Sequence, residues 1–536
     1  MDFAVNWQNE LCVAKNGVVV TEFPQASLVG LRVLQEGGNA VDASVATAAT
    51  LNVIGLGRCG LGGDAFILVY DGKSKQVTGI NGSGRAPYAA SVDYYKKLGM
   101  TRMAEIGIHS ASVPGAVDAY VEVLERFGTM PLEELLQPAI EFAEEGLLMK
   151  AGDRKSLAAD GKLGRFPSSV KVFCKDEALS KRAGVLTNSD LGKSLRLVAE
   201  GGRDAFYKGE IAQAIVACSE ANGGLFTMED FENHTSDIYE PIQTDYRGHT
   251  VYQTTLPSQG HIVLEELNIL EGYDIATMGF GSASHIHHMV EAKKLAFADR
   301  LAYSGDPEFE DVPLDALLSK SFAEKRRREI HPNRASTVPT AGDIYRNGDT
   351  TSLAVADKDG NAVSFIISLS SNFGSGLVAD GTGIVLNDRI GYVQGFEFDD
   401  GHPNQLKPGK RTMHTLNTYI VCSGDEVFFI GNTPGGFMQP QLNFQAITNA
   451  IDFGMPPARA VDAPTWISFP GASPSHAGQP FVLRLDERFS DETVEELERW
   501  GHVVTRDGTG GSRKMIMRDP DSGMLLGASQ GSALWY

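Results

Sequence analysis

The sequence predicts an α+β protein. Strand-like and helix-like stretches alternate through its opening third, a helical pattern runs from PLEELLQPAIEFAEEG to about residue 330, and the final third is rich in strands. GVVVTE (17–22) has the β-branched content of a buried strand, and residues 26–54 carry helical spacing interrupted at Gly37-Gly38. FILVYDGKSKQVTGING reads as a hairpin whose apolar runs join at Asp71-Gly72. HIHHMVEAKKLAFADRLAY continues the helical centre. Residues 331–349 are polar and rich in turn formers, which predicts an exposed loop. TTSLAVADKDGNAVSFIISLSS is then a strand pair around Asp357 and Gly360, and GIVLND and TYIVCSGDEVFFIGN supply further strands. PQLNFQAITNAIDFG and SDETVEELERWG are helical, the second with Ser490 as N-cap and Asp491 and Glu492 at the positive end of the dipole.

Composition narrows the function classes. With 42% hydrophobic residues among 536, the chain can bury a large core, which excludes disorder as its main state. Its 59 Gly and 23 Pro follow no short period, which excludes collagen and low-complexity readings. A net charge of −21 opposes wrapping a phosphate backbone, so nucleic acid is not an expected partner. The five cysteines (Cys12, Cys59, Cys174, Cys218, Cys422) are scattered without CxxC spacing, as in a reducing compartment. The first residues lack a basic start followed by an apolar run, and no stretch approaches a membrane span. A cytoplasmic protein is expected. Length suggests several domains of about 150 residues each, yet no linker separates them, and one compact unit stays open.

Gly55-Leu-Gly57-Arg-Cys-Gly60 matches GxGxxG, but a strand follows it where a dinucleotide site needs a helix, so a glycine-lined turn packed against another backbone is expected. His285 and His288 share a helical face without a visible third ligand, which predicts a partly solvated face rather than a metal site. GxSxG and HExxH are absent. No cofactor or metal is called for. At Gly348-Asp349-Thr350-Thr351 a polar loop runs directly into a strand. A chain cut before Thr350 would free an α-amine with a pKa of about 7.7–8.0, making that residue nucleophile and base together.

Read in order, GGNAVDA (37–43), GLGGDAF (60–66), SVPGAV (112–117), LQPAIEFAEEG (136–146), GRDAFYKGEIA (202–212), YRG (246–248), AFADRLAYSGDP (296–307), DTTSLAVADKDGNAVS (349–364) and NTPGG (432–436) resemble the gamma-glutamyltransferase family along essentially the whole chain. The resemblance implies an N-terminal-nucleophile hydrolase with a four-layer αββα sandwich, made as one inactive chain. Self-cleavage between Asp349 and Thr350 would leave a large subunit (1–349) and a small one (350–536) associated in one fold. A dimer of such heterodimers is left open. Thr350 matches the nucleophile and Thr351 the second Thr of its motif. Ser368 stands where the family has a Thr bonded to the nucleophile, and Gly435 and Gly436 match the oxyanion-hole pair. Each such donor is worth about 2.7–4 kcal/mol in the transition state.

The substrate-reading positions depart from the family. Ser83 occupies the place of an Arg that grips the glutamyl α-carboxylate, with Arg85 two residues on. The partners of the α-ammonium correspond to Ser370, Arg389 and Tyr392, and the paired serines to His414 and Thr415. An Arg389 guanidinium about 4 Å from a substrate ammonium would repel it by about 4 kcal/mol at an effective dielectric near 20. The same group favours a carboxylate through bonds of about 1.5–3 kcal/mol. The sequence therefore predicts an amidohydrolase acting on an amide of a small carboxylated acyl group, similar to oxamate amidohydrolases and cephalosporin acylases. The alternatives are a γ-glutamyl hydrolase or transferase acting on compounds such as glutathione, and an uncleaved binding homologue.

Overall fold

A computed structural model describes residues 11–149, 151–174, 184–337, 350–391, 395–470, 480–507 and 511–536. Asp349 and Tyr392, and most of the loop expected at 331–349, lie outside these residues; the described part, 331–337, is exposed through Arg334.

Two seven-stranded sheets are stacked face to face. The first runs, edge to edge, Ser532–Trp535, Gly17–Thr21, Thr351–Asp357, Ala362–Ser368, Asp64–Asp71, Gln76–Gly82 and Asp237–Tyr239. The second runs Cys12–Ala14, Leu525–Ser529, Lys514–Arg518, Glu426–Asn432, Thr418–Ser423, His249–Gln253 and Ile242–Tyr246. The helices Pro24–Gln35, Ala40–Ile54 and Ala116–Phe127 cover the outer face of the first sheet. Gly260–Leu270, Ala283–Tyr303 and Met438–Ile451 cover that of the second. This is the four-layer αββα sandwich. Strands from before and after residue 350 interleave in both sheets, so the two segments share one core.

Period-two alternation sorts each inner strand between two environments. Leu353 and Val355, Val363, Phe365 and Ile367, and Ala65, Ile67 and Val69 join the helix-side core. Ala354, Ala356, Ala362, Leu68 and Tyr70 pack between the sheets. Small side chains there let the sheets approach closely enough for Ser364 Oγ to donate to Gly431 O at 2.9 Å. By the same alternation Thr350, Ser368 and Asp64 face the inter-sheet space at one end of the first sheet.

Several local expectations hold. Gly37, at φ +101°, separates the two helices of 24–54. Ser490 caps Asp491–Arg499 by accepting from Thr493 N. The GxGxxG stretch is a turn: Gly57 has φ +81° and its carbonyl accepts from Phe373 N at 2.8 Å. The helical reading of the centre needs correction, because Ile242–Tyr246 and His249–Gln253 form a hairpin of the second sheet. Its turn, Arg247-Gly248, takes positive φ at both residues (+55° and +81°), the primed geometry that matches strand twist.

The histidines are also corrected. His285, His287 and His288 are buried rather than solvated, packed against Phe280, Phe453, Trp500 and Tyr273. Among the described residues His287, Glu291 and His502 form a group with potential ligand atoms within 4.8 Å of one another. Its members already bond to protein: His287 to His502 at 2.8 Å and to His331 O at 2.7 Å, and Glu291 to Lys294 at 2.7 Å. No helix among the described residues is long and apolar enough to cross a membrane.

Candidate active site

Thr350 sits at the start of an inner strand, buried, with its Oγ1 3.1 Å from Ser368 Oγ. Ser368 Oγ also accepts from the amide of Ser370 at 2.8 Å. To aim that amide, Ser370 adopts φ +85°, a left-handed conformation costing a non-glycine residue about 1–3 kcal/mol. The strain is held from outside the loop. Lys162 Nζ donates to Ser371 Oγ at 2.5 Å, Asn372 O at 3.1 Å and Gly374 O at 2.8 Å, and lies 3.4 Å from the buried Asp388 carboxylate. Asp388 in turn accepts from Ser371 N at 3.0 Å.

The pleat sets Thr351 apart from Thr350. One residue along from Thr350, its side chain points to the opposite face, where its buried hydroxyl has no partner among the described residues.

The pair Gly435-Gly436 follows the strand Glu426–Asn432 and precedes the helix Met438–Ile451. Their φ values of +129° and +58° both lie in territory that favours glycine. Among the described residues neither amide nitrogen donates a hydrogen bond. The helix that follows adds the positive end of its dipole.

Arg389 lies deep in the structure. Its Nε donates to Asp64 Oδ2 at 2.9 Å and its Nη1 to Thr415 Oγ1 at 3.3 Å, whereas Nη2 has no partner among the described residues. Asp64 is paired in register with Ser368, which places their side chains side by side. Gly84 N donates to Asp64 Oδ1 at 3.0 Å, and His414 Nε2 lies 3.2 Å from Oδ2. Burial opposes ionisation of Asp64, but His414, Arg389 and the Gly84 amide outweigh it and hold the carboxyl below its usual range. Burial and the Arg389 charge push His414 down to about 4, so its imidazole is neutral at neutral pH and Arg389 is the lasting cation.

Arg85 does not join this group. Its guanidinium is closed on Glu308 by two bonds, at 2.7 and 2.9 Å, with a third to Gly409 O at 3.2 Å. Ser83 turns inward, its amide and hydroxyl both bonded to Asn81 Oδ1 at 3.0 and 2.6 Å. The structure thus brings together Thr350, Ser368, Ser370, Arg389, His414 and Thr415, and leaves Arg85 and Ser83 in neighbouring structural roles. Sequence reasoning missed Asp64, Lys162, Gln259 and Arg300. Asp64 and Arg300 carried a signal, lying inside the motifs GLGGDAF and AFADRLAYSGDP; Lys162 and Gln259 carried none.

Two stacked sheets between helical layers, with a hydroxyl residue leading an inner strand, are the architecture of the N-terminal-nucleophile hydrolases. The gamma-glutamyltranspeptidase family model matches residues 26–532, and the chain belongs to that family. It is 38% identical over 498 residues to the glutathione hydrolase-like YwrD proenzyme of Bacillus subtilis (strain 168), covering 92% of each chain. It is 33% identical over 528 residues to the acylase ACY 1 proenzyme of Pseudomonas sp. (strain SE83), covering 96% of this chain and 91% of that one. The crystal structure of the cephalosporin acylase from Bacillus halodurans matches it with a TM-score of 0.89 at 34% identity, covering 100% of this chain and 98% of that one.

Proposed function

We propose that this amide hydrolase matures by cleaving itself before Thr350 and then hydrolyses an amide whose acyl group carries a second carboxylate. The observation that carries the reading is Arg389 Nη2, a buried donor without a partner among the described residues, beside Thr415 and one residue pair away from Ser368. A substrate carboxylate would satisfy it. The similarity to proteins named acylases supports this branch.

In the reaction, Thr350 Oγ1 adds to the amide carbonyl while its proton passes to the freed α-amine of the same residue. The Gly435 and Gly436 amides receive the developing oxyanion. Collapse breaks the C–N bond, the leaving amine takes the proton, and the acyl group stays on Thr350 as an ester. Water, deprotonated by the same amine, then releases the acid and restores the hydroxyl. Ser368 orients Thr350 Oγ1 throughout.

A second reading, hydrolysis of γ-glutamyl compounds such as glutathione, draws support from Asp64, whose charge offsets the repulsion Arg389 would exert on an α-ammonium, and from the similarity to a glutathione hydrolase-like protein. Parallel assays of glutathione and of dicarboxylate mono-amides separate the two. A mono-amide should be the faster substrate; a glutathione rate equal to that of the best mono-amide defeats the first reading.

A further inference from the structure

We infer that Gln259 is a positioning residue that locks the Gly435-Gly436 turn from across the cut. The inference rests on the reading of that turn as the oxyanion hole, and it adds a residue that no motif marks.

Gln259 is fully buried at the N-terminus of the helix Gly260–Leu270. Its Nε2 donates to Gly436 O at 2.9 Å and also to Thr415 O. Its Oε1 accepts from Arg300 Nη1 at 3.0 Å, and Arg300 Nη2 donates to His414 O at 3.1 Å. A guanidinium only donates, so Arg300 dictates which way the Gln259 amide faces. Both NH₂ protons are then committed to the two carbonyls. The neighbouring residues complete the seam: Pro257 O accepts from His414 N at 2.8 Å and Ser258 Oγ donates to Leu416 O at 2.6 Å.

This arrangement answers a mechanical need. Two consecutive glycines free the backbone to turn its amides outward, but they also leave it loose, since no Cβ restricts φ and ψ. Met438 N and Gln439 N donate to Gly435 O and Gly436 O at 3.0 and 3.2 Å from the helix that follows, and the Gln259 bond on Gly436 O adds a tie to the other segment of the chain without adding a side chain to the turn. The same amide holds Thr415, whose hydroxyl receives Arg389, so the oxyanion turn and the proposed carboxylate reader are set at a fixed distance by one side chain. Gln259 and Arg300 precede residue 350, whereas the turn, His414 and Thr415 follow it, so the clamp would work between the two subunits after cleavage.

The test compares processed wild-type protein with Gln259→Leu, which keeps the volume and loses all three hydrogen bonds, and Gln259→Glu, which sets carboxylate oxygens against the two carbonyls. The readouts are kcat and KM on the best mono-amide, affinity for its product acid, affinity for a boronic acid that forms a tetrahedral adduct on the nucleophile, and thermal midpoint. Misplacing the turn should lower kcat about 100-fold and weaken the boronate in parallel, while product-acid affinity, which feels Gln259 only through Thr415, falls about tenfold or less and the protein stays folded at the assay temperature. A kcat within about twofold of wild type overturns the inference, as does a loss of kcat matched by an equal loss of product affinity. If neither variant matures in soluble form, Gln259→Asn is judged by the same criteria. Gly435→Ala separates the two levels: if it leaves kcat unchanged, the oxyanion reading itself falls; if it lowers kcat while Gln259→Leu does not, only the clamp falls.

Discussion

Arg389 Nε and Asp64 Oδ2 form an ion pair 2.9 Å long with both side chains inside the protein. Taken alone, an arginine in the pocket would select acyl groups by net charge. With Asp64 paired to it, the field falls off faster than that of a single charge, and under the proposed function selection would pass to the direction of Nη2, which has no partner among the described residues.

The pair should matter for stability. Asp64→Asn leaves a buried guanidinium without its counter-charge and is expected to destabilise the fold by about 3–5 kcal/mol. The sign of the pH dependence follows from the lowered carboxyl. The stabilisation is complete above the unfolded aspartate value of about 3.9 and is lost as pH falls through the folded value. Urea titrations should therefore show a constant gap between wild type and variant near neutrality, closing below about pH 4. A gap that persists undiminished at pH 3 would contradict the pairing.

Arg389→Met should lower kcat/KM for a dicarboxylate mono-amide about 10- to 150-fold, the equivalent of about 1.5–3 kcal/mol for a charge-assisted bond. An uncharged amide of similar size should be affected much less. Asp64→Asn added to Arg389→Met should recover stability lost in either single variant, because it removes the stranded charge. Equal losses on both substrates would move the carboxylate reader elsewhere.

Thr350→Ala should remain one species of full-length mass after prolonged incubation, while wild type resolves into residues 1–349 and 350–536. Cleavage of the variant at Asp349-Thr350 would remove Thr350 from the nucleophile's role. Wild type that stays intact and inactive would instead favour a binding homologue.

Lys162→Met should release the loop that holds Ser370 at its positive φ. Hydrogen exchange across residues 369–376 is expected to rise, and kcat to fall about tenfold as the Ser370 amide leaves Ser368. Unchanged exchange in that loop would show that Lys162 does not restrain it.

Much of this protein is legible in its sequence because the signals are local. The strand pair around Asp357-Gly360, the helix break at Gly37-Gly38 and the Ser490 cap each depend on residues a few positions apart. The polar centre hid the hairpin at Arg247-Gly248, since alternation over five residues does not stand out beside long helices. The substrate positions were legible by address but not by role. Arg85, two residues on from the place of the carboxylate-gripping Arg, is held by Glu308, more than two hundred positions away. Thr351, the second Thr of the motif, lies on the opposite face from Thr350.

By itself the sequence determined the family, the alternation that faces Thr350 inward and the glycine pair that can turn two amides toward a reacting carbonyl. Only the tertiary structure decided which charges meet: Asp64 with Arg389, Glu308 with Arg85, Gln259 with Gly436. The physical reason is that backbone preference and periodicity are written in neighbouring residues. The pairing of a buried polar group is settled only when the two sheets and their helices close over it and every donor must find an acceptor in that confined space.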